Sequence, residues 1–244
     1  MLVKGNFDNA LLHGFASKNN AGIGTYGEKN IHRIIKLYLE PNSNFHEVKI
    51  CSHIADIMNE NGIIEVQTRA FNSLRKKLDF FLETYNVTVV YPYPAIKYLC
   101  WLDPDTGEVS PKRCSPKRYS PYDAFYELYK IKSYLRNENL HFYFLGLEIE
   151  EIRLLNGWGN DKKKGSKRLE RIPKKILETL YVKNKKDYKK MIPSDISSPF
   201  TSFDFSKSAH ISQRAAGYAI SCLKEVGIIE KCGMDGRKYL YKII

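Results

Sequence analysis

The chain has 244 residues, with 39 Lys or Arg against 27 Asp or Glu for a formal net charge of +12. Hydrophobic residues make up 43% and aromatics 13%, enough apolar mass for a buried core, which excludes a disordered chain. The length points to a core of about 150 residues with a smaller appendage, and the positive balance favours a polyanionic partner, nucleic acid first among them.

Residues 1–20 hold no apolar run of signal-peptide length, and the apolar stretch around Val87 to Val90 is too short to cross a bilayer. Five cysteines, Cys51, Cys100, Cys114, Cys222 and Cys232, are odd in number, widely spaced and never in a C-x-x-C pair. They encode neither a zinc ribbon nor a disulfide framework, so a reducing, cytoplasmic location with no membrane partner is expected.

From Gly27, the run GEKNIHRIIKLYLE places Ile31, Ile34, Ile35 and Tyr38 at helical spacing before Pro41 ends it, with Glu28 at the helix start. FHEVKIC, SHIADIMN and GIIEVQT then read as three strands of a meander. RAFNSLRKKLDFFLETY puts Phe71, Leu74, Leu78, Phe81 and Leu82 on one helical face, and VTVVYPYP is an apolar strand suited to a sheet interior. Within the strands, Asp56 is flanked by Ala55 and Ile57, while Ile63, Glu65 and Gln67 share one face of GIIEVQT. Acids at such positions need a partner. Two carboxylates on adjacent strands are reconciled most economically by a hard divalent cation, Mg²⁺ or Mn²⁺.

These residues resemble the PD-(D/E)xK, or restriction-endonuclease-like, nuclease superfamily, whose core runs αβββαβ with an Asp on the second strand and E-x-K or E-x-Q on the third. Asp56 matches the first acid, Glu65 the second, Gln67 stands in the Lys position, and Glu28 matches the first-helix glutamate of resolvase-like members. The resemblance covers residues 27 to 93 and implies an α/β fold with a mixed sheet, Asp56 and Glu65 as metal ligands, and Asp56, Glu65, Gln67 and Glu28 as the catalytic set. A metal held there would activate water and neutralise charge building up on phosphorus, while Gln67 would only orient that water by hydrogen bonding. A rival register uses EVK at Glu47 to Lys49, with His46 and Glu47 at the site mouth. In a further alternative, Asp56 and Glu65 are paired with Arg75 or a lysine in a scaffold without activity.

Downstream, Lys112, Arg113, Lys117 and Arg118 bunch in a Pro- and Ser-rich loop, as phosphate contacts or as a solvated surface. DAFYELYKIKSYL reads as an amphipathic helix and HFYFLGLEIEEIRLL as a strand, with Glu148, Glu150 and Glu151 expected to solvate its edge. From Asp161 to Lys190 there are thirteen Lys or Arg against four Asp or Glu, so residues 161–195 read as a basic connector. Its loop carries Lys162, Lys163 and Lys164, and Ile176, Leu177, Leu180 and Tyr181 form a short helical stripe. IPSDISSPF marks a boundary near residue 195, leaving residues 1–160 as the nuclease-like domain.

Residues 196–244 read as a short helix, a turn, a second helix from Gln213 to Val226 capped by Ser212 and closed by Gly227, and two strands joined by GMDGR. The pattern resembles a winged helix-turn-helix domain. The resemblance implies DNA contacts from Gln213, Arg214 and Tyr218 on the second helix and from Arg237 and Lys238 on the wing. Together these features lead to the expectation of a Mg²⁺-dependent endodeoxyribonuclease targeted by its carboxy-terminal domain, related to restriction, phage-defence or transposon enzymes, with a homodimer supplying the two active sites that double-strand cutting needs. The alternative is a non-catalytic DNA-binding regulator, or an assembly subunit that docks on a partner recombinase or defence protein.

Overall fold

The computed structural model describes residues 5–16, 27–157 and 168–244. The chain is α/β with a mixed sheet and divides into two compact units, each assembled from separated stretches of sequence: Met1–Asn61, Pro92–Tyr119 and Leu145–Glu178 in the first, Gly62–Tyr91, Ser120–Phe144 and Thr179–Ile244 in the second. No helix among the described residues is long and apolar enough to cross a membrane.

The first unit opens with α1 (Phe7–Ala16) and α2 (Gly27–Leu39). The expected stripe of α2 is buried at Ile31, Ile34, Ile35 and Tyr38, and it turns inward because residues three and four apart share a helix face. Gly14 lets α1 approach closely, since a Cβ there would stand 2.5 Å from the Ile34 side chain. β1 (His46–Ile50) pairs antiparallel with β2 (His53–Asn59), with His46 opposite Ile57 and Val48 opposite Ala55. Ala55 and Ile57 are fully buried, so the alternation of a strand turns Asp56 to the other face. The same unit holds the later part of β4 (Val87–Leu102), to which the short β5 (Arg113–Cys114) is paired antiparallel, and parts of β6 (Leu140–Leu154) and β7 (Arg168–Val182). Here the order is β5, β4, β6, β7.

In the second unit β3 (Gly62–Val66) runs parallel to the first residues of β4, with Glu65 opposite Val89. Val87, Val89 and Val90 are fully buried, as expected of a parallel strand covered on both faces. The expected helix after β3 forms as a 3-10 turn, Phe71–Leu74, followed by α3 (Arg75–Phe81), and it buries Phe71, Leu74, Leu78, Phe81 and Leu82. The run expected as one amphipathic helix breaks into a 3-10 turn, α4 (Phe125–Leu128) and a second 3-10 stretch, because Ile131 leaves helical geometry.

The carboxy-terminal elements also belong to this unit: α5 (Ser202–Ser208), α6 (Gln213–Val226), β8 (Ile229–Asp235) and β9 (Lys238–Ile243). Thr201 and Asp204 form a capping box at α5. Ser212 accepts from the Ala215 amide, and Gly227 closes α6 in the left-handed conformation that glycine adopts without a Cβ penalty. Ala216, Ala219, Ile220 and Leu223 are the buried side of α6. Phe205 of α5 sits against Phe125 and Phe200, so the helix pair shares an aromatic core with α4.

One element differs in kind. The stripe of Ile176, Leu177, Leu180 and Tyr181 is not helical but lies in β7. Pro173 removes a backbone donor and disfavours a helix through this run, and pairing with β6 is a long-range contact to which local periodicity is blind.

Candidate functional site

In the first unit, the residues next to the buried stripe of α2 reach acids on the strands. His32 Nε2 lies 2.9 Å from Asp56 Oδ2, with the two side chains 30% and 14% exposed. One turn on, Lys36 pairs with Glu47 of β1. Glu47 and Lys49 both lie on the exposed side of β1, and Glu47 adopts a positive φ of 51°. Glu28 falls in the first turn of α2, but its side chain lies outside the described residues.

In the second unit Glu65 is buried, and Lys77 of α3 donates to both of its oxygens at 2.9 and 2.7 Å. The partner expected as Arg75 or a lysine is thus Lys77, while Arg75 donates instead to the Lys130 carbonyl. Gln67 lies just past the end of β3. Its backbone N–H donates to the Val90 carbonyl, and its side-chain amide donates to the Arg69 carbonyl at 2.6 Å and reaches the Ser73 hydroxyl at 3.4 Å.

A Mg²⁺ site takes about six oxygens in near-octahedral order. Among the described residues no group of three or more His, Cys, Asp or Glu converges on one point. Cationic or imidazole nitrogens already stand on the oxygens of both expected ligands. The described side chains therefore do not fit such an ion as they stand.

The amino-terminal half of α6 carries a second group of functional candidates. Ser212, Gln213, Arg214 and Gly217 are exposed in a row, and a Cβ at Gly217 would meet nothing within 4 Å. Tyr218 is turned aside: its ring lies 4.6 Å from Tyr129 and 5.7 Å from Tyr126, and its hydroxyl accepts from Arg214 Nε at 2.9 Å. The hydrogen bond to the Tyr218 hydroxyl, and then the charge interaction with that phenol, push the Arg214 guanidinium still further toward its charged form. Lys130 lies 4.5 Å from the Tyr126 ring, so cations rim this tyrosine cluster. On the hairpin, Arg237 and Lys238 are exposed, Lys231 lies over the Tyr239 ring at 3.7 Å and Lys238 over Phe203 at 5.1 Å. Lys162, Lys163 and Lys164 lie outside the described residues.

A further cluster overturns the expectation that Glu151 solvates a strand edge. Glu151 is fully buried in the first unit. Its Oε1 accepts from Arg153 Nε at 2.7 Å, and its Oε2 from Arg171 Nε at 2.8 Å, with Arg168 Nε at 3.4 Å. Burial pushes the carboxyl up, but the charge and hydrogen bond of Arg171, with Lys97 and Arg153, outweigh it and hold the pKa at about 2. The signal was present in strand parity, since Glu151 shares a face with Ile149 and Leu147, both buried. Its neighbour Glu150 points the other way, toward Lys112 at 2.6 Å and Lys174 at 3.4 Å.

Residues 29–183 match the family described as "Domain of unknown function (DUF8091)", and the chain belongs to that family. It is also similar to an uncharacterized protein of Treponema pallidum (strain Nichols), 27% identical over 225 residues, which cover 90% of this chain and 87% of that protein. No solved structure matches the chain. The family match takes in α2 through β7 and stops short of α5, α6 and the hairpin.

Proposed function

We propose that this protein binds duplex DNA through α6 and the β8–β9 hairpin, in the manner of a winged helix-turn-helix. The observation that carries the reading is the exposed row of Gln213, Arg214 and Gly217 at the start of α6. Gln and Arg are side chains that read base edges bidentately, and a glycine with open space above it permits close approach of a helix to a groove. Arg237 and Lys238 at the hairpin supply charge for a neighbouring phosphate. Tyr218 acts indirectly, its hydroxyl orienting Arg214 while its ring packs edge-on against Tyr126 and at a tilt against Tyr129. Fluorescence anisotropy with random duplex DNA tests this. Arg214→Ala with Gln213→Ala should weaken binding by about tenfold or more, each bidentate contact being worth ~1–3 kcal/mol. Unchanged affinity in that double variant sinks the reading.

A second reading, a Mg²⁺-dependent endodeoxyribonuclease, is favoured by the element order α2, β1, β2, β3, α3, β4 with acids at Asp56 and Glu65. In it Lys77 supplies the ammonium that Gln67 lacks. It requires Lys77 to yield the Glu65 oxygens to the ion, and a thermal-shift titration with Mg²⁺ and Mn²⁺ tests that requirement by mass action.

A further inference from the structure

Three exposed rings border the amino-terminal half of α6 in the second unit. Tyr126 of α4 and Tyr129 just past it are 48% and 42% exposed, and Phe203 in the first turn of α5 is 46% exposed. Contacts join all three to the helix. Tyr126 and Tyr129 pack against Tyr218, whose hydroxyl accepts from Arg214. From the neighbouring position, the Gln213 side-chain amide donates to the Ser202 hydroxyl at 2.8 Å, next to Phe203. The rings are thus a linked group around one helix, not the isolated apolar side chains that any protein surface shows.

A cation accompanies each ring. Lys130 Nζ lies 4.5 Å from the centre of Tyr126 and Lys132 Nζ 5.8 Å from that of Tyr129, while Lys207 and Lys238 stand 5.4 and 5.1 Å from that of Phe203. Lys130 also pairs with Glu127, and Lys132 approaches Glu225. Lys207 and Lys238 make no ion pair among the described residues, and Lys238 feels the charge of Asp204 without pairing with it. A duplex has no use for the ring faces, because paired bases hide their own faces in the stack and show only edges in the grooves. An unpaired base offers its face, and an aromatic ring beside an ammonium matches that base and its phosphate together.

We propose that Tyr126, Tyr129 and Phe203 form a stacking platform for unpaired bases of a DNA strand, with the neighbouring lysines meeting its phosphates. The choice of DNA rests on α6 as a duplex-binding helix, whereas the platform rests on the rings and their cations. The ligand that suits the whole surface is a duplex ending in a single-stranded tail, with paired bases at Gln213 and Arg214 and unpaired bases on the rings beside them.

Fluorescence anisotropy with the full chain at one salt concentration tests this. Two copies of one duplex carry tails of about ten units, one of thymidine and one of abasic sugar-phosphate, so that charge is equal and only the bases differ. Wild type should bind the thymidine tail about tenfold more tightly. Tyr126→Leu with Phe203→Leu keeps apolar side chains but removes the rings, and should bring that ratio close to one. Equal affinity for the two tails in wild type overturns the platform, as does a ratio that the double variant leaves unchanged. Should the double variant fail to fold, Phe203→Leu alone takes its place and should lower the ratio about fivefold, an unchanged ratio again overturning the platform. Free thymidine and abasic strands separate this failure from that of the duplex reading: a base-dependent difference there, with duplex affinity untouched by Arg214→Ala and Gln213→Ala, upholds the platform and removes the duplex reading. Tighter binding of a uridine RNA strand than of the thymidine strand overturns the assignment to DNA.

Discussion

Lys77 Nζ spans the carboxylate of Glu65, 2.9 Å from one oxygen and 2.7 Å from the other, and ties α3 to β3 through a charge pair whose acid is only 3% exposed. Removing one partner of such a pair leaves an uncompensated buried charge, which costs more than the pair itself contributes. Lys77→Met should lower unfolding free energy by ~3–5 kcal/mol, and Lys77→Met combined with Glu65→Leu should recover most of it. Urea denaturation of the two variants checks the cycle; equal losses in both would show that Glu65 is held by other contacts.

Plasmid nicking separates the two functional readings. If the acids hold a catalytic cation, Asp56→Asn and Glu65→Gln should each remove Mg²⁺-dependent nicking while DNA binding survives, because each keeps shape but deletes the charge. Cleavage that survives Asp56→Asn and disappears in Glu47→Gln would move the chemistry to Glu47. A wild type that cuts no DNA with Mg²⁺ or Mn²⁺ leaves the DNA-binding reading standing alone.

Acid should unfold the protein partly through Glu151. Its carboxyl is lowered from 4.5 to about 2, so the unfolded chain binds its proton first, and the stabilisation is present above pH 4.5 and lost as pH falls toward 2. The shift corresponds to something on the order of 3 kcal/mol. Glu151→Gln should be less stable at neutral pH and show a flatter stability profile between pH 5 and 2 in urea titrations. His141 adds a second slope higher up. Burial lowers its pKa, so the neutral ring favoured in the fold is opposed by protonation of the unfolded chain, and stability falls as pH drops through about 6.5.

Gly217→Ala should move stability and binding in opposite directions. A Cβ there meets nothing within 4 Å, so alanine should stabilise α6 by ~0.5–1 kcal/mol through propensity alone. If DNA approaches the helix backbone at this point, the added methyl should weaken affinity several-fold. A variant that is more stable and binds DNA as tightly as wild type would remove Gly217 from the interface.

Helix α6 shows what sequence reading does well. Its cap at Ser212, its bounds and its Gly227 stop are all local signals, and each stands where expected. The β1, β2 and β3 strands were legible for the same reason, as alternation between turn residues. What escaped was set by distant partners. β7 carries a helical-looking stripe yet pairs as a strand, Lys77 reaches Glu65 across twelve residues, and Glu151 gathers Arg168 and Arg171 from β7. Tyr218 likewise looked free to meet a ligand, because nothing near it in sequence announces Tyr126 and Tyr129.

The division into units has a genetic consequence. The chain passes between them five times, and three of those passages, at 91–92, 144–145 and 178–179, fall inside β4, β6 and β7. No continuous stretch of coding sequence specifies either unit. Recombination that joins this gene to another at a breakpoint between residues 62 and 178 would split both cores at once, so neither unit passes intact through a break in that span.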